Sequence, residues 1–100
     1  MDLVRASLYR RLVSGLSPPG ENAEVLGALW AHAVPEDGLE HVFCRPEADR
    51  VDLLLFLLTR SAGDPDGRSA LDRAEGLLHR SHQASPVLRS RFLPPQVTAA

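Results

Sequence analysis

Val51-Asp52-Leu53-Leu54-Leu55-Phe56-Leu57-Leu58-Thr59 is the stretch on which the fold turns. Read with a period of two, Val51, Leu53, Leu55 and Leu57 form one set, and Asp52, Leu54, Phe56 and Leu58 form the other. Leu is not a favoured strand residue, so a short helix competes for this run. Its length and the turn-rich flanks on both sides favour the strand. A strand that faces water on one side alternates apolar with polar, whereas one covered on both sides reads as a continuous apolar run. Here both sets are apolar apart from Asp52.

If Leu54, Phe56 and Leu58 were solvated, each would forgo roughly 1.5–3 kcal/mol of burial free energy. Something beyond the chain's own helices is therefore expected over them, since contiguous apolar patches mark association sites. The competing readings are cover by the chain's own N-terminal segment or C-terminal tail, and a ligand cavity.

Outward from this run the chain punctuates itself clearly. Upstream, Leu39 to Arg45 is rich in strand formers, with Leu39, His41 and Phe43 on one face, and Pro46 to Arg50 is turn chemistry. Residues 39–59 thus read as a hairpin. Before it, Val25, Leu26, Leu29, Trp30 and Ala33 lie on one helical stripe that starts after Ser17-Pro18-Pro19-Gly20 and stops at Val34-Pro35. After it, Ala70, Leu71, Ala74, Leu77 and Leu78 repeat the helical spacing to about His82, with Asp66 or Ser69 as the N-cap. Val87 to Leu93 follows Ser85-Pro86 and reads as an edge strand, and residues 94–100 as a flexible tail.

The first residues carry two patterns. Val4, Ala6 and Leu8 alternate as in a strand, while Val4, Leu8, Leu12 and Leu16 recur every four residues as in a helix. A strand to about Leu12 is preferred because one hairpin makes too small a sheet. The element order is then β-α-β-β-α-β over residues 1–93, one α+β domain on the ferredoxin-like plan, with a four-stranded antiparallel sheet and two helices on one face. The alternative, with a helical N-terminus, is α-α-β-β-α.

Composition narrows the function classes. The chain has 100 residues, 44% hydrophobic and 24% charged, with net charge −2, which fits one globular domain with its own core. All eleven basic residues are Arg, Leu occurs seventeen times and Ile never. Lys and Ile have AT-rich codons, so this bias points to a high-GC bacterial genome. No basic run offers nonspecific phosphate binding. A single cysteine, Cys44, fits a reducing compartment. The longest apolar run is far short of the ~20 residues of a membrane helix. A cytoplasmic location is expected.

No motif carries chemistry. His41 and Cys44, three apart on a strand, point to opposite faces. Cys44 reads as a small core residue, and Trp30 as a packing aromatic. His79 and His82 share a helix face but lack further zinc ligands. With His32 they read as polar residues of helix ends, where cations suit the dipole. Asp64-Pro65-Asp66-Gly67 lacks the glycine and glutamate spacing of a calcium loop. Arg5, Arg10, Arg89 and Arg91 read as a solvated rim. No catalytic residue, metal site or cofactor is expected.

The sequence thus points to a non-catalytic protein-protein interaction module, either a homodimer or a small accessory subunit of an enzyme complex. Its interface is expected at Leu54, Phe56 and Leu58, with Tyr9 and Val42 beside them. The alternative is a small-ligand-binding protein or enzyme of the dimeric α+β-barrel type, with His41 or Tyr9 as the polar group of an apolar pocket. That reading rests on analogy of fold.

Overall fold

The computed structural model describes residues 1–12, 19–59 and 68–99. Four strands form one antiparallel sheet: β1 (Asp2–Tyr9), β2 (Leu39–Pro46), β3 (Arg50–Leu57) and β4 (Gln96–Ala99). Their spatial order is β2-β3-β1-β4. Three helices accompany them: α1 (Glu21–His32), α2 (Arg68–Ala84) and α3 (Pro86–Arg91). The fold is α+β, and the decisive run at 51–57 is a strand, paired to β2 on one side and β1 on the other. Alternation wins over the four-residue spacing at the N-terminus, because β1 completes the hydrogen bonds of β3 along its whole length.

The helices cover one face. Val4, Ala6 and Leu8 of β1 meet Val51, Leu53, Leu55 and Leu57 of β3, all buried. Val25 and Leu29 of α1, Ala70, Ala74, Leu77 and Leu78 of α2, Leu88 of α3 and Phe92 complete the same core. Each element contributes a side chain at its own period, two for strands and about 3.6 for helices, so one contiguous core results.

Three local features refine the sequence reading. Residues 87–93 are not an edge strand: Pro86 to Arg91 is helical, and the fourth strand lies at Gln96–Ala99, within the stretch expected to be a flexible tail. Ser85 caps α3, its Oγ accepting from the Leu88 N–H at 3.3 Å, and Pro86 takes the first-turn position that lacks a partner for an N–H anyway. A third helix therefore joins the two expected. Ser69 lies within α2 rather than capping it, and Asp66 and the Asp64–Gly67 loop lie outside the described residues.

The second feature is a bulge in β2. Leu39 pairs with Leu57 but His41 pairs with Phe56, so Glu40 is the extra residue. The bulge reverses the parity of the strand: Leu39 packs against the core, while His41 and Phe43 point the other way. The three were expected to share a face and do not. The third is the connection from α1 to β2. Pro35 follows Val34, which is held extended, so α1 cannot continue. A 3-10 turn at Pro35–Asp37 then ends on Gly38 at φ 68, a conformation L side chains rarely adopt.

Asp37 organises that connection. Its carboxylate accepts from the Val34 N–H at 2.9 Å and from Arg80 of α2, whose Nε also donates to the His32 carbonyl at 3.1 Å. Arg73, two turns earlier on the same side of α2, donates to the Asp37 carbonyl at 3.0 Å. A second polar clamp closes the opposite end. Arg10, just past β1, donates to both carboxylate oxygens of Glu21 at 2.7 and 3.2 Å and to the Glu47 carbonyl. Arg10 was expected on a solvated rim; its side chain is 7% exposed and that of Glu21 3%. His82, in the last turn of α2 as expected, is buried and donates through Nε2 to the Phe92 carbonyl at 2.9 Å.

Candidate interaction face

The sheet surface away from the helices is built by the residues that the core leaves over. Opposite residues in an antiparallel pair share a face. Along β1 these are Leu3, Arg5, Ser7 and Tyr9, opposite Phe56, Leu54, Asp52 and Arg50 of β3. From β2, His41, Phe43 and Arg45 stand opposite Phe56, Leu54 and Asp52. The face therefore has two halves. Leu3, His41, Phe43, Leu54 and Phe56 form an apolar half near the start of β1, with the exposed Arg5 at its β1 margin, opposite Leu54. Arg45, Ser7, Asp52, Arg50 and Tyr9 form a polar half near its end.

Three rings dominate the apolar half. His41 and Phe43 meet edge to face, centroids 4.4 Å apart at 81°. Phe43 and Phe56 meet at 5.9 Å and 78°, and His41 and Phe56 at 6.2 Å and 51°. These are the separations and tilts at which aromatic quadrupoles attract, worth about 0.5–1.5 kcal/mol per pair. The cluster is only partly buried: Phe43 is 52% exposed and His41 is exposed, while Phe56 is half-buried between them and β1. Each ring is thus held by its neighbours while part of the cluster stays open to solvent.

The polar half is internally neutralised. Ser7 Oγ donates to Asp52 Oδ1 at 2.9 Å, and Arg50 Nε donates to the same oxygen at 2.8 Å. Arg50 also pairs with Asp49 at 2.8 Å, and Arg45 with Glu47 at 3.0 Å. A recess of about 170 Å³ lies among Arg5, Ser7, Asp52, Leu54 and Thr98.

Of the expected interface residues, Leu54 and Phe56 lie side by side on this face. Tyr9 also faces outward, but at the far polar end. Val42 does not belong to it: opposite Leu55, it is buried in the core at 6% exposure. Its parity is fixed by that pairing, and Phe43 takes the place assigned to it. Leu58 lies beyond the end of β3, 48% exposed, and lines a groove of about 410 Å³ with Trp30, Val34, Pro35, Leu39 and Glu40. Trp30 was expected to pack in the stripe of α1; it is 46% exposed, because Leu29 takes the core position and the next residue turns about 100° away.

His41 and Tyr9, the two polar groups of the pocket reading, are not brought together. His41 is level with Leu3, and the six steps along β1 from Leu3 to Tyr9 span roughly 20 Å at strand rise. Sequence reasoning missed Phe43 and Leu3 as members of the face. The signal for Phe43 was present, since it alternates with His41, but the hairpin register was needed to set it opposite Leu54.

Cys44 sits on the helix side, partly buried against the core, and burial pushes its thiol up to about 11. Among the described residues no three His, Cys, Asp or Glu side chains are grouped to hold a metal ion, and no helix is long and apolar enough to cross a membrane. No family model, curated protein or solved structure matches the chain.

Proposed function

We propose that the chain is a protein-protein interaction module that associates through the sheet face away from its helices. The observation that carries this reading is the open ring cluster His41–Phe43–Phe56, with Leu54 and Leu3 beside it, on a face that no described element covers. Desolvated aromatic anchors within a polar surround are the usual centre of a protein interface. The ferredoxin-like β-α-β-β-α-β plan belongs to the same reading. It draws support from the central positions of β1 and β3 and from helices confined to one face; α3, between α2 and β4, is an addition to it.

Hydroxyl-radical footprinting tests the face without knowing the partner. The chain at its native level in an extract of its source cells should show Phe43 and Phe56 oxidised several-fold more slowly than in the dilute purified protein. Equal oxidation in both would overturn the reading.

A second reading, a small-ligand-binding protein or enzyme of the dimeric α+β-barrel type, draws support from the Arg5–Ser7–Asp52–Thr98 recess. Its polar groups would be Ser7 and Asp52 rather than the His41 and Tyr9 expected from sequence. Native mass spectrometry of the freshly isolated chain separates the two readings, because a bound small molecule adds mass that a protein partner does not.

A further inference from the structure

We infer that the partner seated on this face is a second copy of the same chain, related by a two-fold axis through the apolar half. The inference rests on the interaction reading above and adds the identity of the occupant. The first argument is charge. A self-associating face meets its own charges, and like-charge apposition costs several kcal/mol. This face carries Arg5, Arg45 and Arg50, and against them Asp52 of the strand with Glu47 and Asp49 of the adjoining turn. Three cations face three anions. Such a surface repels no copy of itself, whereas a polyanionic partner such as nucleic acid would need uncompensated arginine.

The second argument is where the apolar surface lies. It is displaced to one end of the sheet, so a two-fold axis through it sets the rings and leucines of one copy against those of the other. The ion-paired halves then swing outward in opposite directions, where water keeps them solvated, and Arg5 stays at the β1 margin of the contact beside the rings of β2 and β3. Isologous pairing of this kind buries each anchor twice. The exposed apolar side chains Met1, Trp30, Val34 and Leu58 adjoin the same end, where β1 begins and β3 stops.

The size of the face sets the strength. Three eight-residue strands spaced about 4.8 Å apart, at about 3.3 Å per residue, project roughly 14 by 26 Å, or about 380 Å². A standard interface buries about 800 Å² of accessible surface on each partner. The apolar half is about half of that projected face, so the dimer is a dissociating one whose mass depends on concentration.

Sedimentation of the full chain across about 1–300 µM tests this. The weight-average mass should rise from 10.9 kDa toward twice that value. Phe43→Asp should weaken self-association by about 100-fold or more, since each copy loses the ring and gains a charge. Phe43→Ala, milder at about tenfold, keeps the test open should aspartate disturb the strand. Leu12→Asp, at an exposed position beyond the opposite end of the sheet, should change nothing. A chain that stays at the single-copy mass to 300 µM overturns the second-copy inference and leaves the face to the footprinting test. A dimer indifferent to both Phe43 variants overturns the assignment of this face as well.

Discussion

Removing the Glu21 carboxylate should be among the most damaging single changes in this protein. Glu21→Ala leaves the Arg10 guanidinium at 7% exposure without the two hydrogen bonds, 2.7 and 3.2 Å, that now neutralise it. Breaking one side of a buried pair typically costs about 3–5 kcal/mol, because the remaining charge loses its carboxylate while it stays buried. For a domain of this length each kcal/mol corresponds to roughly 4–8 °C, so the midpoint should fall by at least about 12 °C. Urea unfolding followed by Trp30 fluorescence and by far-ultraviolet circular dichroism measures the loss. The double variant Arg10→Met/Glu21→Leu removes both charges and fills the volume, and should recover most of it. The clamp joins the end of β1, the start of α1 and the β2–β3 turn, so the single variant should also loosen the turn at Glu47. A loss below about 0.5 kcal/mol would refute the argument, for it would mean the pair is solvated and behaves as a surface contact.

Other outcomes follow from the same geometry. Leu55→Ala, between Val4 and Val42 in the core, should cost about 2–5 kcal/mol, whereas Leu54→Ala on the opposite face should cost under about 1; equal losses in urea titrations would contradict the assignment of faces. Cys44 alkylation should rise with a midpoint near 11 rather than the ordinary 9.0. The folded thiol holds its proton more tightly than the unfolded one, so stability should be level below pH 9 and fall as pH climbs toward 11, which melts at stepped pH will show. Asp37→Ala should cost about 1–2 kcal/mol and speed amide exchange at Val34, whose N–H it caps at 2.9 Å; unchanged exchange at Val34 would contradict that role.

The central strand and both long helices were legible because each is written in a local period. The apolar run at 51–57 named both of its faces, and only the question of cover remained. What escaped was set by pairs distant in sequence. Val42 and Phe43 exchange roles according to which of them stands opposite Leu55, and no local pattern states that register. The bulge at Glu40 leaves no mark in composition, yet it sends Leu39 to the core and His41 outward. Arg10 was read as solvated because its partner, Glu21, lies beyond a turn-rich break. The segment at 86–91 is the exception, a miss that local signals contradicted: Ser85-Pro86 is a helix start, and the edge-strand reading of Val87 to Leu93 passed over it.

The two outer strands bear on how this chain behaves when crowded. The edge of β2 is interrupted by the Glu40 bulge and ends in Pro46, which has no N–H to offer, while β4 is four residues long and meets β1 with its own shift of register. Neither border can template a further strand over much of its length. Growth by lateral stitching into fibres through either edge is thereby discouraged.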